Sequence, residues 1–236
     1  MTATQTARDR ARAELTREIK SEARRQLAAE GAQRLSLRAV ARELGMASSA
    51  LYRYFSSRDD LLTALIIDAY DAIGESAERA VAALPRTDIR GRWRACWHAV
   101  RGWAIAHPHE YALIYGSPVP GYSAPQETIA PASRMAAVLG GLLSDAWSAR
   151  LTGRPADARP DGLLQQPLAG QAERVAAAIA PGVPGAMVAT GLIAWTQLFG
   201  MISFELFGQF VGSADPADAF FAYAAERMGD FVNLPE

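Results

Sequence analysis

The side chains best suited to chemistry lie between residues 36 and 58 of this 236-residue chain. They carry hydroxyl, phenol and guanidinium groups, and no carboxylate stands between Gly45 and Arg58. Such a surface can donate hydrogen bonds to phosphates and to the edges of bases. The chain also lacks the common metalloprotease, hydrolase, phosphate-loop and dinucleotide motifs. Nucleic-acid binding is therefore favoured over an enzyme built on a helical scaffold.

Two short helices are predicted to position this surface. In the run SLRAVARELGMASSALYRYF (residues 36–55) apolar residues recur at helical spacing, and a glycine marks the turn between the helices. The residues predicted to face inward are Leu37, Val40, Ala41, Leu44, Leu51 and Phe55. Those left facing outward are Arg38, Met46, Ser48, Ser49, Tyr52, Arg53 and Tyr54. Because Ser36 and Ser57 are predicted helix caps, nearby backbone N–H groups can meet phosphates, and the segment predicts a helix-turn-helix that binds duplex DNA.

The sequence around this turn also resembles a known family. The run LGMASSALYRYFSSRDDLL, preceded by SLRAVARE, resembles the TetR family of bacterial transcriptional regulators. Two later runs, AHPHEYALIYGSPVPGYSAP and AWTQLFGMISFELFGQFVG, are similar to the WHG-type C-terminal regulatory domain of some members. The resemblance implies a DNA-binding domain over residues 13–73 and a regulatory and dimerisation domain over residues 74–236.

The resemblance assigns roles to single residues of the motif. With the cap residue Ser36, eight positions are predicted to meet DNA: Ser36, Arg38, Ala47, Ser48, Ser49, Tyr52, Tyr54 and Arg58. The arginine of the first helix matches a base-reading position, the start of the second helix meets base edges, and the tyrosines and the last arginine match phosphate contacts. Family members usually have a serine or threonine cap where this chain has Ala47, so Ser48 is the alternative cap.

Charge is distributed unevenly along the chain. The totals are 24 basic and 25 acidic residues, a net charge of −1. Residues 1–60 hold 12 basic and 8 acidic residues, a net charge of +4, and the remainder has a net charge of −5. A basic head on an acidic body is consistent with a DNA-binding segment joined to a part with another task. The first 14 residues contain no apolar stretch, so no signal peptide is expected and a cytoplasmic protein is predicted.

Chemistry that depends on cysteine, histidine or a cofactor is not expected. The single cysteine, Cys96, excludes an internal disulfide, and flanking alanine and tryptophan favour a core position over a redox sensor. His107 and His109 diverge at a helix start, which disfavours a metal pair. We therefore predict neither a metal nor a cofactor.

The rest of the chain reads as helix, because no apolar–polar alternation bounded by turns occurs. The fold class predicted is all-α, with a three-helix DNA-binding domain joined through a shared fourth helix to a helical ligand-binding and dimerisation domain. The helices are predicted over residues 8–30, 36–44, 47–54, 57–84, 88–106, 108–115, 126–151, 171–180, 184–211 and 215–232. A loop with three prolines is predicted over residues 152–170.

An uncharged run over residues 180–204 is long enough to span a membrane. A packed helix is favoured instead, because Gln197 and several glycines interrupt the run. Its bulky residues also keep a 4-3 spacing: Val188, Leu192, Trp195, Phe199, Ile202 and Leu206. With the last helix, it predicts a homodimer interface built as a four-helix bundle.

All five tryptophans follow the DNA-binding segment. Trp93, Trp97, Tyr111 and Trp195 are the residues predicted to line a ligand pocket, with a role as ordinary core residues as the alternative. The predicted function is a repressor that binds an inverted-repeat operator as a homodimer and is released by a small apolar ligand. A constitutive DNA-binding regulator without an effector is the alternative.

Overall fold

The computed structural model describes residues 3–152 and 164–235, and within them the chain is helical, with no strand. Short turns of 3-10 helix lie at Ala32–Arg34 and Gln126–Thr128. The α-helices are α1 (Ala3–Glu30), α2 (Leu37–Glu43), α3 (Ser48–Leu51), α4 (Arg58–Ala82), α5 (Ile89–Ala106), α6 (Pro108–Tyr115), α7 (Ile129–Thr152), α8 (Leu168–Ile179), α9 (Gly185–Leu206) and α10 (Ala217–Phe231). The all-α prediction is confirmed. Most of the predicted loop over residues 152–170 falls outside the described residues.

Several helix bounds differ from those predicted. α7 begins three residues later, at Ile129, and α8 begins three residues earlier, at Leu168, inside the predicted loop. α1 begins five residues earlier, at Ala3, and α3 ends three residues earlier, at Leu51. α9 ends at Leu206, because Gly208 (φ +76°), directly after the C-cap residue Phe207, adopts the left-handed conformation that ends helices.

The chain forms two compact units. The first comprises the residues up to Tyr70 together with His107–Ile129, and the second comprises Asp71–Ala106 and the residues from Ala130 onward. α4 is continuous through the division and contributes residues to both. α6 packs in the first unit, although it lies beyond residue 73 in sequence. The functional boundary at residue 73 stays a prediction.

In the first unit α1 supplies one side of the core. Ile19, Ala23 and Leu27 are buried against the residues of α2 and α4, which include the fully buried Val40 and Leu61. Of the six residues predicted to face inward, five are buried and Leu44 is partly buried. Met46, predicted to face outward, instead packs partly buried against this core, because the turn before α3 folds back onto it.

Polar contacts join α1, α4 and α6 in the same unit. Arg24 of α1 donates to Asp68 of α4 at 2.6 Å and to Glu110 of α6 at 3.3 Å. The loop after α6 is held by Tyr122, whose hydroxyl lies 2.8 Å from that of Thr63. These contacts hold α1, α4 and α6 together, and α2 and α3 pack on the apolar core of the same unit.

The second unit is built around α5 and α9. On α9 the most buried positions are Val188, Gly191, Ala194, Leu198 and Ile202. Gly191 allows close packing there, because a Cβ atom at this position would lie 2.6 Å from Cδ1 of Leu143 on α7 and would force that side chain to shift. The predicted seam is thus right at Val188 and Ile202. The other predicted seam residues, Leu192, Trp195, Phe199 and Leu206, are only partly buried. Between Val188 and Ile202 the buried face is formed instead by Gly191, Ala194 and Leu198.

By length and composition alone, α9 is the one helix among the described residues that could cross a membrane. Of its most apolar 18-residue window, 39% is buried by other parts of the chain. The predicted use of this helix for packing agrees with that burial.

Candidate DNA-binding surface and ligand cavity

The start of α2 is fixed by the side chain of its N-cap residue, Ser36. The Ser36 hydroxyl accepts a hydrogen bond from the backbone N–H of Ala39 at 3.4 Å, which satisfies one of the unpaired donors at the helix start. The inward stripe of this helix, including Val40 and Ala41, is buried. Arg38 is exposed beside that stripe. The cap prediction is confirmed, and the structure leaves Arg38 free to reach outward.

The turn leads into a very short α3. Gly45 has φ +65°, a conformation that glycine adopts without strain, and the N–H of Met46 donates to the carbonyl of Ala41 at 2.8 Å. Ala47 occupies the cap position with extended backbone and no side-chain cap. Ser48 is the first helical residue rather than the alternative cap, so that prediction is wrong.

The outer face of α3 is exposed and free of acids. Ala47, Ser48 and Ser49 are exposed, and Tyr52 retains 45% of its accessible surface. Tyr54 is partly buried against the core of the first unit, and the guanidinium of Arg12 lies 5.0 Å from its ring centroid. The predicted contact residues of α3 therefore share one surface, and the sequence analysis missed that α1 adds an arginine to it.

Arg58 performs a structural task that the sequence did not signal. Its guanidinium donates to the backbone carbonyls of Ala32 at 2.8 Å and Leu35 at 3.2 Å, which precede the Ser36 cap. It also pairs with Asp59 at 3.1 Å. Every residue has a backbone carbonyl, so no pattern of residue types in the sequence indicates these hydrogen bonds of Arg58. Only the structure could reveal them. The predicted phosphate contact of Arg58 stays a prediction.

The carboxylates at the start of α4 have local partners. Asp59 pairs with Arg58, and Asp60 accepts a hydrogen bond from the Ser56 hydroxyl. The hydroxyls of Ser56 and then Ser57 hold the pKa of Asp60 below its ordinary value. Ser57 also caps α4 by accepting from the N–H of Asp60 at 3.0 Å, as predicted. Asp59 and Asp60 therefore form no ion pair with Arg38 or Arg53, the exposed arginines of the motif.

Three of the four predicted ligand residues meet in the second unit. They surround a cavity of about 20 Å³, roughly the space of one water molecule. Its lining consists of Trp93, Cys96, Trp97, Met135, Leu139, Leu142, Trp195 and Leu198. The Trp93 and Trp97 rings lie 5.5 Å apart, and Nε1 of Trp93 donates to the carbonyl of Ala225 at 2.9 Å. Nε1 of Trp195 is buried and has no hydrogen-bond partner among the described residues.

The fourth predicted ligand residue lies elsewhere. Tyr111 belongs to the first unit, is fully buried, and has its ring centroid 5.2 Å from that of Tyr115. It is not part of the cavity lining. Tyr111 was predicted to share the pocket only because it is aromatic. Residue type does not determine the unit in which a residue packs, so this prediction is wrong.

Cys96 is buried at the cavity. Burial raises the pKa of its thiol to about 12, so the thiol stays protonated at neutral pH. Because the thiolate is the reactive species, the structure agrees with the expectation of an inert core cysteine.

A larger hollow of about 330 Å³ opens on the first unit. The end of α1, the following turn and α6 form its walls, with Leu27, Arg34, His109, Leu113 and Val119 among the lining residues. It has a mixed polar and apolar surface, and the sequence analysis did not anticipate it.

Comparisons with family models match both parts of the chain. Residues 19–65 match the model described as bacterial regulatory proteins, tetR family. Residues 93–228, more than half of the chain, match the model described as Tetracyclin repressor-like, C-terminal domain. The narrower resemblance to a WHG-type domain stays a prediction.

Individual relatives agree with these matches. The HTH-type transcriptional regulators Rv1816 of Mycobacterium tuberculosis and Mb1846 of Mycobacterium bovis are each 41% identical over 209 residues, covering 85% of this chain and 84% of theirs. The crystal structure of SCO4313 is 34% identical with a TM-score of 0.71, covering 93% of this chain and 97% of that one. The TetR regulator PfmR of Thermus thermophilus shares the fold, with 17% identity and a TM-score of 0.56 over 92% of this chain and 98% of its own. The chain therefore belongs to the TetR family of DNA-binding transcriptional regulators.

Proposed function

We propose that the protein is a cytoplasmic repressor that binds an inverted-repeat operator as a homodimer and leaves it when a small apolar ligand binds. The observation that carries the DNA-binding part is the exposed, acid-free face of α3 on a buried core. Arg38 and the first turn of α3 supply base contacts in the major groove, and the phenols of Tyr52 and Tyr54 supply phosphate contacts.

Two exposed apolar stripes support dimerisation. Ile193 and Phe204 lie three turns apart on one face of α9, and both are about half exposed. On α10, Phe220, Tyr223 and Phe231 follow one another at helical spacing and are also exposed. A second copy related by a two-fold axis would cover both stripes as a four-helix bundle.

The lining of the tryptophan cavity supports a ligand of a particular chemistry. Its walls are apolar and aromatic, and its unsatisfied polar group is the indole N–H of Trp195. The ligand that fits is therefore an apolar or aromatic molecule with one hydrogen-bond acceptor. Typical ligand pockets hold about 300–1,000 Å³, so the ligand must select a form in which the cavity is wider.

A chain of contacts runs from this cavity to α4. Met135 and Leu139 of α7 line the cavity, and the neighbouring Arg134 grips α4 through Asp71 at 2.8 Å and Glu78 at 2.9 Å. α4 is continuous and begins at Arg58, next to the helix-turn-helix. A ligand that displaces α7 would therefore move α4 and alter the spacing of the two recognition helices, at an ordinary coupling of about 1–3 kcal/mol.

The test has two stages. Selection from random duplexes should yield an inverted repeat, and a library of apolar compounds should then be screened for release of that DNA. If the releasing compound has a hydrogen-bond acceptor, Trp195→Phe should lower the affinity for that compound about tenfold. The affinity for DNA should stay unchanged. Trp147→Phe, outside the cavity lining, is the matched control.

The outcomes separate the claims. A protein that selects no sequence contradicts sequence-specific binding. A selected operator from which no compound releases the protein favours the constitutive alternative. If a releasing compound binds in the hollow beside α6, the protein is still a ligand-released repressor. Its effector site then lies in that hollow and not in the tryptophan cavity.

A further inference from the structure

The first turns of α1 extend beyond the part of the helix that is packed. Residues 6–14 are all exposed, whereas from Leu15 onward one face becomes buried through Ile19 and Ala23. An isolated helical end gains little from helix propensity alone, and here it is not stabilised by burial. The sequence predicts helix only from Arg8 onward, because residues 1–7 are small and polar.

On the side of α1 that is buried farther along the helix, the exposed first turns carry arginine residues. At 100° per residue, Arg8 and Arg12 fall within about 40° of Ile19, on the same side of the helix. Glu14 falls on the opposite side, and Asp9 lies at the edge of the stripe. The inward stripe therefore changes from apolar to cationic where the helix leaves the core.

Arg12 shows what this stripe faces. Its Nη2 donates to the backbone carbonyl of Arg53 at 3.3 Å, and its guanidinium lies over the Tyr54 ring at 5.0 Å. Both partners follow directly after α3. The arginine stripe is thus continuous with the surface to which DNA contacts are assigned, and Arg8 lies one helical turn farther along it.

We propose that Arg8 and Arg12 form a further DNA-binding element, which contacts backbone phosphates of the duplex beside those held by α3. The proposal rests on the DNA-binding surface proposed above. Two guanidinium groups on one face of α1, continuous with the recognition surface, complement the negative charge of a phosphate backbone. Such contacts add affinity without reading sequence.

The experiment compares two charge-matched double variants on the selected operator. Arg8→Gln/Arg12→Gln removes the stripe. Arg10→Gln/Arg17→Gln removes the same charge from exposed positions on the opposite face of α1. Affinity is measured by fluorescence anisotropy across a range of salt concentrations. The stripe variant should bind at least about tenfold more weakly, and its log–log salt slope should fall by about 0.9 for each phosphate that the protein no longer neutralises. The control should change affinity less than about twofold.

A single variant separates phosphate binding from packing. Arg8→Gln leaves the Arg12–Tyr54 contact in place, and it should still weaken binding and reduce the salt slope. Equal losses of affinity in both double variants would overturn the proposal, since net charge alone would then explain them. Weaker binding confined to Arg12 variants, with an unchanged salt slope, would also overturn it. Failure of the wild-type protein to select any operator would instead refute the proposed binding surface itself.

Discussion

Two exposed residues of the helix-turn-helix are expected to have separable effects. Arg38→Ala should change which base is preferred at one position of each half-site, with a cost of about 1–3 kcal/mol there. Tyr52→Phe removes only a hydroxyl and should weaken all sites by about 1 kcal/mol. Repeating the duplex selection with each variant measures both effects. A uniform loss of affinity for Arg38→Ala would show that it does not read a base.

Arg58 is expected to support the fold as well as DNA binding. Its hydrogen bonds to Ala32 and Leu35 hold the turn that places the Ser36 cap. Arg58→Ala should therefore lower the free energy of unfolding by about 2 kcal/mol, since it removes hydrogen bonds from a charged donor. Urea denaturation measures this, with Arg38→Ala as an exposed control expected to change stability by less than about 0.5 kcal/mol. Unchanged stability with weaker DNA binding would limit Arg58 to a phosphate contact.

At the scale of elements, Arg101 joins α5 to α9 and α10. Its guanidinium makes two bonds to Glu205, at 2.6 and 2.7 Å, and a third to Asp218 at 2.6 Å. Glu205 is largely buried, whereas the Asp218 side chain is 88% exposed. Glu205→Gln should lower the free energy of unfolding by about 3 kcal/mol, because it leaves a buried cation poorly compensated. Asp218→Asn, which is screened by solvent, should cost less than about 1 kcal/mol.

The comparison is made by denaturant unfolding of both variants beside the wild type. Equal decreases in stability would show that burial does not distinguish the two carboxylates. In that case the Glu205 contacts would be worth no more than an ordinary surface ion pair.

Elements with local signals were predicted well. α2 and α6 match within one residue, because Ser36 and Pro108 are start signals that act through their own backbone. The end of α9 was missed, since the left-handed glycines after it gave no stop signal strong enough against an apolar run. α1 was predicted too short, because its exposed first turns have no apolar periodicity to detect.

Within the candidate site, the sequence predicted correctly those residues whose side chains are exposed on the helix-turn-helix. Arg38, Ser49 and Tyr52 are exposed as expected, because helical spacing alone places them. No sequence pattern indicates that Arg58 donates hydrogen bonds to backbone carbonyls distant in sequence. Likewise, none indicates the unit in which Tyr111 is buried. The buried face of α9 was likewise not predicted, because Gly191 and Ala194 gain burial only from the helices packed on them.

At the scale of the whole molecule, the apolar stripes of α9 and α10 predict the oligomeric state. Phe204→Glu combined with Tyr223→Glu should give a folded monomer, because a charge at each exposed stripe opposes burial against a second copy. Light scattering measures the mass, circular dichroism checks the helix content, and operator affinity should fall at least about 100-fold as only half-sites are held. Ile129→Glu alters an exposed apolar residue off both stripes and should remain dimeric. A dimer that survives the double substitution would place the interface elsewhere.

Opening of the tryptophan cavity should be visible through Cys96. The thiol is buried, and burial raises its pKa to about 12, so alkylation at pH 8 requires an opening that exposes it. In the native protein we expect labelling by iodoacetamide to be slower than in the urea-unfolded protein by several orders of magnitude, as for groups exposed only by rare opening. A bound effector that fills the cavity should slow labelling further in proportion to its occupancy, whereas operator DNA should not cover the thiol directly. Labelling of the native protein at the unfolded rate would contradict the buried placement of Cys96. A releasing compound that leaves the rate unchanged would show that it binds outside this cavity, and the hollow beside α6 would then become the site to examine by mutation of Arg34 and His109.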